Sequence, residues 1–195
     1  MARFRKTAIA AAAVSALVLA PTAAYADHNH GGVSASSDDS GMSWGYYSGK
    51  VIDYTTDTND IFKDARASAV MIGMDGRSFF RLRVTGVKTK DVYGVHLHQG
   101  TCDANIPGPP GGAGPHYNVT WDPIKLAVMG EISKKTEVWL DLDVDSDGDA
   151  RSTATVSFIP DGKRSIVLHA DPTAEVTGAA GARLACLPFT IKKTG

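Results

Sequence analysis

Phe80-Arg81-Leu82-Arg83-Val84 alternates apolar and basic side chains with period two. Successive side chains of an extended strand point to opposite faces, so the pattern predicts a half-buried strand. Phe80, Leu82 and Val84 would face a core, and Arg81 and Arg83 would sit on the outer face. Working outward, Val138, Leu140, Leu142 and Val144 alternate with Trp139, Asp141 and Asp143. Ala154, Val156 and Phe158 alternate with Thr153, Thr155 and Ser157. Runs of this kind, about eight in all, occur near 46–54, 66–74, 77–86, 92–98, 136–144, 151–159, 164–169 and 184–192. Met74-Asp75-Gly76-Arg77 and Asp145-Ser146-Asp147-Gly148 read as tight hairpin turns, because Asp and Gly tolerate positive φ. No helical period of useful length and no internal repeat interrupts the series. The expectation is an all-β domain, a flattened sandwich or closed barrel. One long irregular stretch, 99–130, breaks the pattern, and loops of that length inside a compact domain are usually functional.

The chain opens differently. Arg3, Arg5 and Lys6 precede an apolar run from Thr7 to Ala20, and Ala24-Tyr25-Ala26 forms a small-x-small cleavage site. Residues 1–26 are therefore expected to be a secretory signal peptide, the run being too short for a membrane span. No later segment is apolar enough to cross a bilayer as a helix. Residues 27–42, DHNHGGVSASSDDSGM, read as a flexible polar arm, and 43–195 as the domain. The expected location is secreted or otherwise extracytoplasmic. The whole chain of 195 residues carries 20 Lys+Arg and 21 Asp+Glu, a net charge of −1. Removing the three leader bases and no acids takes this to −4. Nucleic-acid binders usually carry a basic excess, so no nucleic-acid partner is expected.

His96 and His98 end the run Val92-Tyr93-Gly94-Val95-His96-Leu97-His98. Two residues apart on a strand they share a face and can converge on one ion, with Val95 and Leu97 turned to the core. His116 follows the glycine-rich Gly111-Gly112-Ala113-Gly114-Pro115, and His169 ends Ile166-Val167-Leu168. A single histidine at a strand end is ordinarily a surface residue, but these four come from a chain with only six. All-imidazole ligation suits copper, zinc, iron or nickel rather than calcium or magnesium. Cys102 and Cys186 are the only cysteines, and in an exported chain they most simply pair.

Four blocks resemble, in order, the copper/zinc superoxide dismutase family. They are Gly94-Val95-His96-Leu97-His98, Gly114-Pro115-His116-Tyr117-Asn118, Ser165-Ile166-Val167-Leu168-His169 and Gly181-Ala182-Arg183-Leu184-Ala185-Cys186. The resemblance covers about residues 65–192. It implies an eight-stranded Greek-key β-barrel and a copper site of His96, His98, His116 and His169. It also implies Arg183 as a guide for superoxide, His116 as a ligand that exchanges a proton during turnover, and Cys102–Cys186 as the family's bridge. Zinc-binding members take two further His and an Asp from the loop after the residue matching His116. Here no His lies between His116 and His169, and the loop Ala170 to Ala182 is short. This resembles the copper-only branch, so zinc is expected to be absent. In that branch a carboxylate orients the former bridging histidine, and Asp122, Glu131 and Glu137 are open candidates. The expected activity is a copper-dependent superoxide dismutase. The alternative is a copper-holding protein on the same scaffold without turnover.

Other features read plainly. His28 and His30, with an amine at Asp27, form a candidate copper-capture site, although a solvated tail is the simpler reading. Asp143 to Gly148 resembles the start of a calcium loop, but the twelfth position is Ala154 instead of Glu. Asn118-Val119-Thr120 is a glycosylation sequon by pattern, to which no role is assigned. Trp44, Trp121 and Trp139 are read as packing residues rather than a partner surface.

Overall fold

A computed structural model describes residues 41–55, 60–103, 111–120 and 131–194. The expected leader, nearly all of the arm, His28, His30, Trp121 and Asp122 lie outside the described residues.

The described chain is all β. Its strands are β1 (Ser43–Lys50), β2 (Ile52–Asp53), β3 (Arg66–Met74), β4 (Arg77–Thr85), β5 (Val92–Tyr93), β6 (Val95–His98), β7 (Leu142–Asp143), β8 (Ala150–Val156), β9 (Gly162–His169) and β10 (Arg183–Lys193). A single 3-10 turn spans Gly111–Ala113. Eight strands form one antiparallel sheet in the order β6-β9-β10-β1-β3-β4-β8, with β2 on β10. It curls into a half-barrel, and β5 and β7 pair separately.

The alternation that predicted β4 is realised. Phe80, Leu82 and Val84 are buried, and Arg81 is exposed. Val138, Leu140, Leu142, Val144, Val156 and Phe158 join the same core, with Met71, Ile166, Leu168, Leu187 and Phe189. Ala154 is only half-buried. In the β3–β4 hairpin, Asp75 (φ 52°) and Gly76 (φ 71°) take the two positive-φ positions of a two-residue turn. Asp145 Oδ1 accepts the backbone N–H groups of Asp147 (3.0 Å) and Asp149 (2.9 Å), so this carboxylate caps its own turn.

Two expectations need correction. The 136–144 run is a regular strand only at Leu142–Asp143; Glu137 and Trp139 make isolated bridges to Asn118 and His96. Trp44 does not pack inside. It lies on the outer face of β1, 39% exposed, whereas Trp139 is buried.

Candidate metal centre

β6 organises the site. On one edge it pairs with β9 (His96 opposite Val167, His98 opposite Ser165), which carries His169 at its end. On the other edge it bridges the irregular segments, His96 to Trp139 and His98 to His116. Directly opposed residues share a face, so the bridges bring His116 beside the two β6 imidazoles. The four histidines each offer one ring nitrogen, and these nitrogens lie within 4.8 Å of one another. His96, His98 and His169 are buried, and only His116 is partly open to solvent.

Each outer ring nitrogen meets a group that fixes its proton. His98 Nδ1 faces the Gly114 carbonyl at 3.0 Å, and His169 Nδ1 faces the Gly181 carbonyl at 3.2 Å. A carbonyl only accepts, so both Nδ1 atoms are donors. Both glycines have positive φ (65° and 73°), a conformation that glycine adopts without a Cβ penalty. His116 Nδ1 lies 3.0 Å from Glu137 Oε2. Burial pushes the Glu137 carboxyl up, but hydrogen bonds from His116, Trp139 and Asn118 outweigh it and hold it below the usual range. Glu137 is therefore an acceptor. His96 Nε2 lies 2.7 Å from Thr173 Oγ1, which donates its own proton to Asp141 Oδ1 at 2.6 Å. Thr173 thus accepts from His96 Nε2–H.

Four lone pairs remain, all directed inward: His96 Nδ1 and the Nε2 atoms of His98, His116 and His169. Burial lowers the pKa of His98 well below its ordinary value, and that of His169 to about 4. Burial, then the neighbouring imidazoles, also push His96 far down. At neutral pH these three rings carry no second proton. His98 Nε2 and His169 Nε2 therefore face each other at 3.2 Å with no proton between them. His96 Nδ1 is buried with no hydrogen-bond partner. Converging lone pairs and an orphaned ring nitrogen are what a cation satisfies, so the residues fit a metal ion. The all-imidazole set favours a transition metal such as copper, zinc, nickel or iron.

Arg183 stands opposite His169 because of a bulge. β10 pairs Arg183 with His169 but Ala185 with Leu168, which leaves Leu184 as the extra residue. Its Nη2 donates to the Gly114 carbonyl at 2.6 Å, the same oxygen that holds His98. Burial lowers the guanidinium pKa, but an arginine keeps its charge under such conditions. Cys102 and Cys186 form a disulfide with Cα atoms 5.8 Å apart, closing 84 residues. It ties the segment 99–103 to β10. That segment also pairs with the glycine turn through Gly100 N–Ala113 O (2.7 Å) and Thr101 N–Gly112 O (2.9 Å). A disulfide is in keeping with an oxidising compartment outside the cytoplasm.

All four predicted ligands come together, with Arg183 beside them. Of the three candidate carboxylates, Glu137 contacts His116; Glu131 offers its backbone carbonyl to Asn118 Nδ2 and to the Thr136 hydroxyl. Sequence reasoning missed Thr173 and Asp141. It also missed Asn118, whose Nδ2 donates to Glu137 Oε1 at 3.3 Å. A usable signal existed for one of these, Asp141. Glu137, Trp139 and Asp141 occupy alternate positions opposite an apolar face, and that polar side turns to the histidines instead of solvent. No family model matches the chain, and no curated protein matches it.

Proposed function

We propose that this chain is an exported copper-dependent superoxide dismutase, a zinc-deficient member of the copper/zinc superoxide dismutase family with its Greek-key barrel. The supporting observation is the convergence of four imidazole lone pairs beside the Arg183 guanidinium. The reaction joins two superoxide anions and two protons to give one oxygen and one hydrogen peroxide. Copper held by the four imidazoles would supply the one-electron chemistry, accepting an electron from one superoxide and returning it to the next. Arg183 attracts the small anion and places it at the ligand cluster, against the repulsion of a negatively charged protein. His96, His98 and His169 are sealed and keep their tautomers through Thr173, Gly114 and Gly181. His116 alone reaches solvent, so it is the ring able to take up and release a proton at Nε2. Glu137 holds its Nδ1–H throughout and keeps the ring aimed.

The test is superoxide decay with copper-loaded protein, compared with Arg183→Ala at matched copper content. Turnover should fall about tenfold or more in the variant, with a weaker salt dependence. Copper uptake without any copper-dependent turnover would sink the enzyme reading and leave the copper-holding alternative.

A further inference from the structure

The outer face of the sheet carries a feature that the metal centre does not use. The register aligns outward side chains in rows across β1, β3, β4 and β8. Trp44 lies opposite Ile72, Ile72 opposite Phe79, and Lys192 of β10 flanks Trp44. In the next row Tyr46 meets Val70 and Val70 meets Arg81. Beyond it Ser48, Ser68, Arg83 and Arg151 align, then Lys50 and Arg66. One end of the face is thus apolar and exposed: Trp44 39%, Tyr46 59%, Ile72 50%, Met74 56% and Phe79 43%.

The rest is basic. The four strands contain six Lys and Arg residues and not one Asp or Glu, in a chain whose acids outnumber its bases. Among the described residues only Arg83 of these six has an ion pair, with Asp149 at 3.2 Å. Lys192 Nζ sits 5.4 Å from the Trp44 ring centroid. A second copy of this chain laid on the same face would set like charges against each other. A soluble polyanion would leave the aromatic and aliphatic end in water. An anionic lipid surface answers both halves, since aromatic side chains settle at the headgroup level while guanidinium groups meet the phosphates.

We propose that this face is a peripheral docking surface for an anionic phospholipid membrane. Trp44, Tyr46, Ile72 and Phe79 enter the interface, and Arg66, Arg81 and Arg151 bind headgroup phosphates. The proposal does not depend on the metal centre or its chemistry.

The test is co-sedimentation with vesicles of equal parts phosphatidylglycerol and phosphatidylcholine, against phosphatidylcholine alone. It uses the full chain and, in parallel, the chain from Asp27. Selective binding to the anionic vesicles is expected, with a blue-shifted tryptophan emission that Trp44→Phe removes. Joint replacement Arg66→Gln, Arg81→Gln and Arg151→Gln should lower partitioning about a hundredfold at low salt. Trp44→Ser with Phe79→Ser should abolish the binding that survives high salt. All five side chains point outward, and unchanged thermal melts show that the variants fold. Equal binding to both vesicle types, or wild-type binding by the triple variant, overturns the proposal. So does binding to soluble polyphosphate with none to vesicles.

Discussion

Replacing Thr173 by valine removes one oxygen and nearly preserves side-chain volume. That oxygen accepts from His96 Nε2 at 2.7 Å and donates to Asp141 Oδ1 at 2.6 Å. Without it the buried His96 Nε2–H loses its acceptor, and nothing prefers the tautomer that leaves Nδ1 free for a metal. An unsatisfied buried donor costs about 1–3 kcal/mol. Loss of such an outer partner typically weakens metal affinity about 10–100-fold, equivalent to about 1.4–2.7 kcal/mol. Competition of copper(II) against a chelator at pH 7 reads the affinity directly. The melting difference between copper-loaded and metal-free protein should shrink by the matching amount. Thr173→Ser, which keeps the hydroxyl, should bind copper nearly as wild type does. If Thr173→Val destabilises the metal-free protein yet binds copper within about twofold of wild type, Thr173 merely packs and the tautomer reasoning is wrong.

Three further outcomes are expected. In Gly181→Ala the new Cβ would lie 2.1 Å from Asp171 Oδ2, so that carboxylate must move, and the φ of 73° strains the backbone whose carbonyl holds His169. Chemical denaturation should show a loss of about 1–3 kcal/mol, with weaker copper binding alongside. Replacing Cys102 and Cys186 together by serine should cost about 4.5 kcal/mol by the loop-entropy model, read as a lower urea midpoint. An unchanged midpoint together with unchanged copper affinity would remove the bridge from any role in holding the site. Acid should weaken the metal-free protein. Burial pushes the His169 imidazole down to about 4 in the folded protein, against an ordinary value of 6.5 in the unfolded chain. Between those values the unfolded state binds more protons, so stability falls as pH drops from 6.5 towards 4. His169 alone contributes about 3 kcal/mol to that loss. Urea titrations of chelator-treated protein across this range would show it, and a flat profile would contradict the burial of the imidazoles.

The strands were legible in the sequence because their alternation directly records which face is buried. Phe80, Leu82 and Val84 could be placed without any knowledge of what they touch. The histidine ligands were legible for a related reason: His96 and His98 share a strand face by spacing alone. Thr173 was not legible. It sits in a loop without period, and its role depends on Asp141, 32 residues earlier, arriving from another segment. Trp44 misled for the opposite reason, since a tryptophan suggests burial while its strand parity places it outside. Glu137 fell between these cases. Its position on an alternating run was visible, but that the polar side of that run is covered by imidazoles depends on how the segment returns against β6.

The Gly114 carbonyl receives two donors, His98 Nδ1 and Arg183 Nη2, on one oxygen. A ligand ring and a cation are thereby hinged on a single atom of a turn. Any motion that draws the guanidinium outward pulls that oxygen and loosens the ring. Substitutions at 98 and 183 should consequently be non-additive even though the two side chains do different work. A lineage drifting away from arginine at 183 would have to readjust its histidine geometry in the same step.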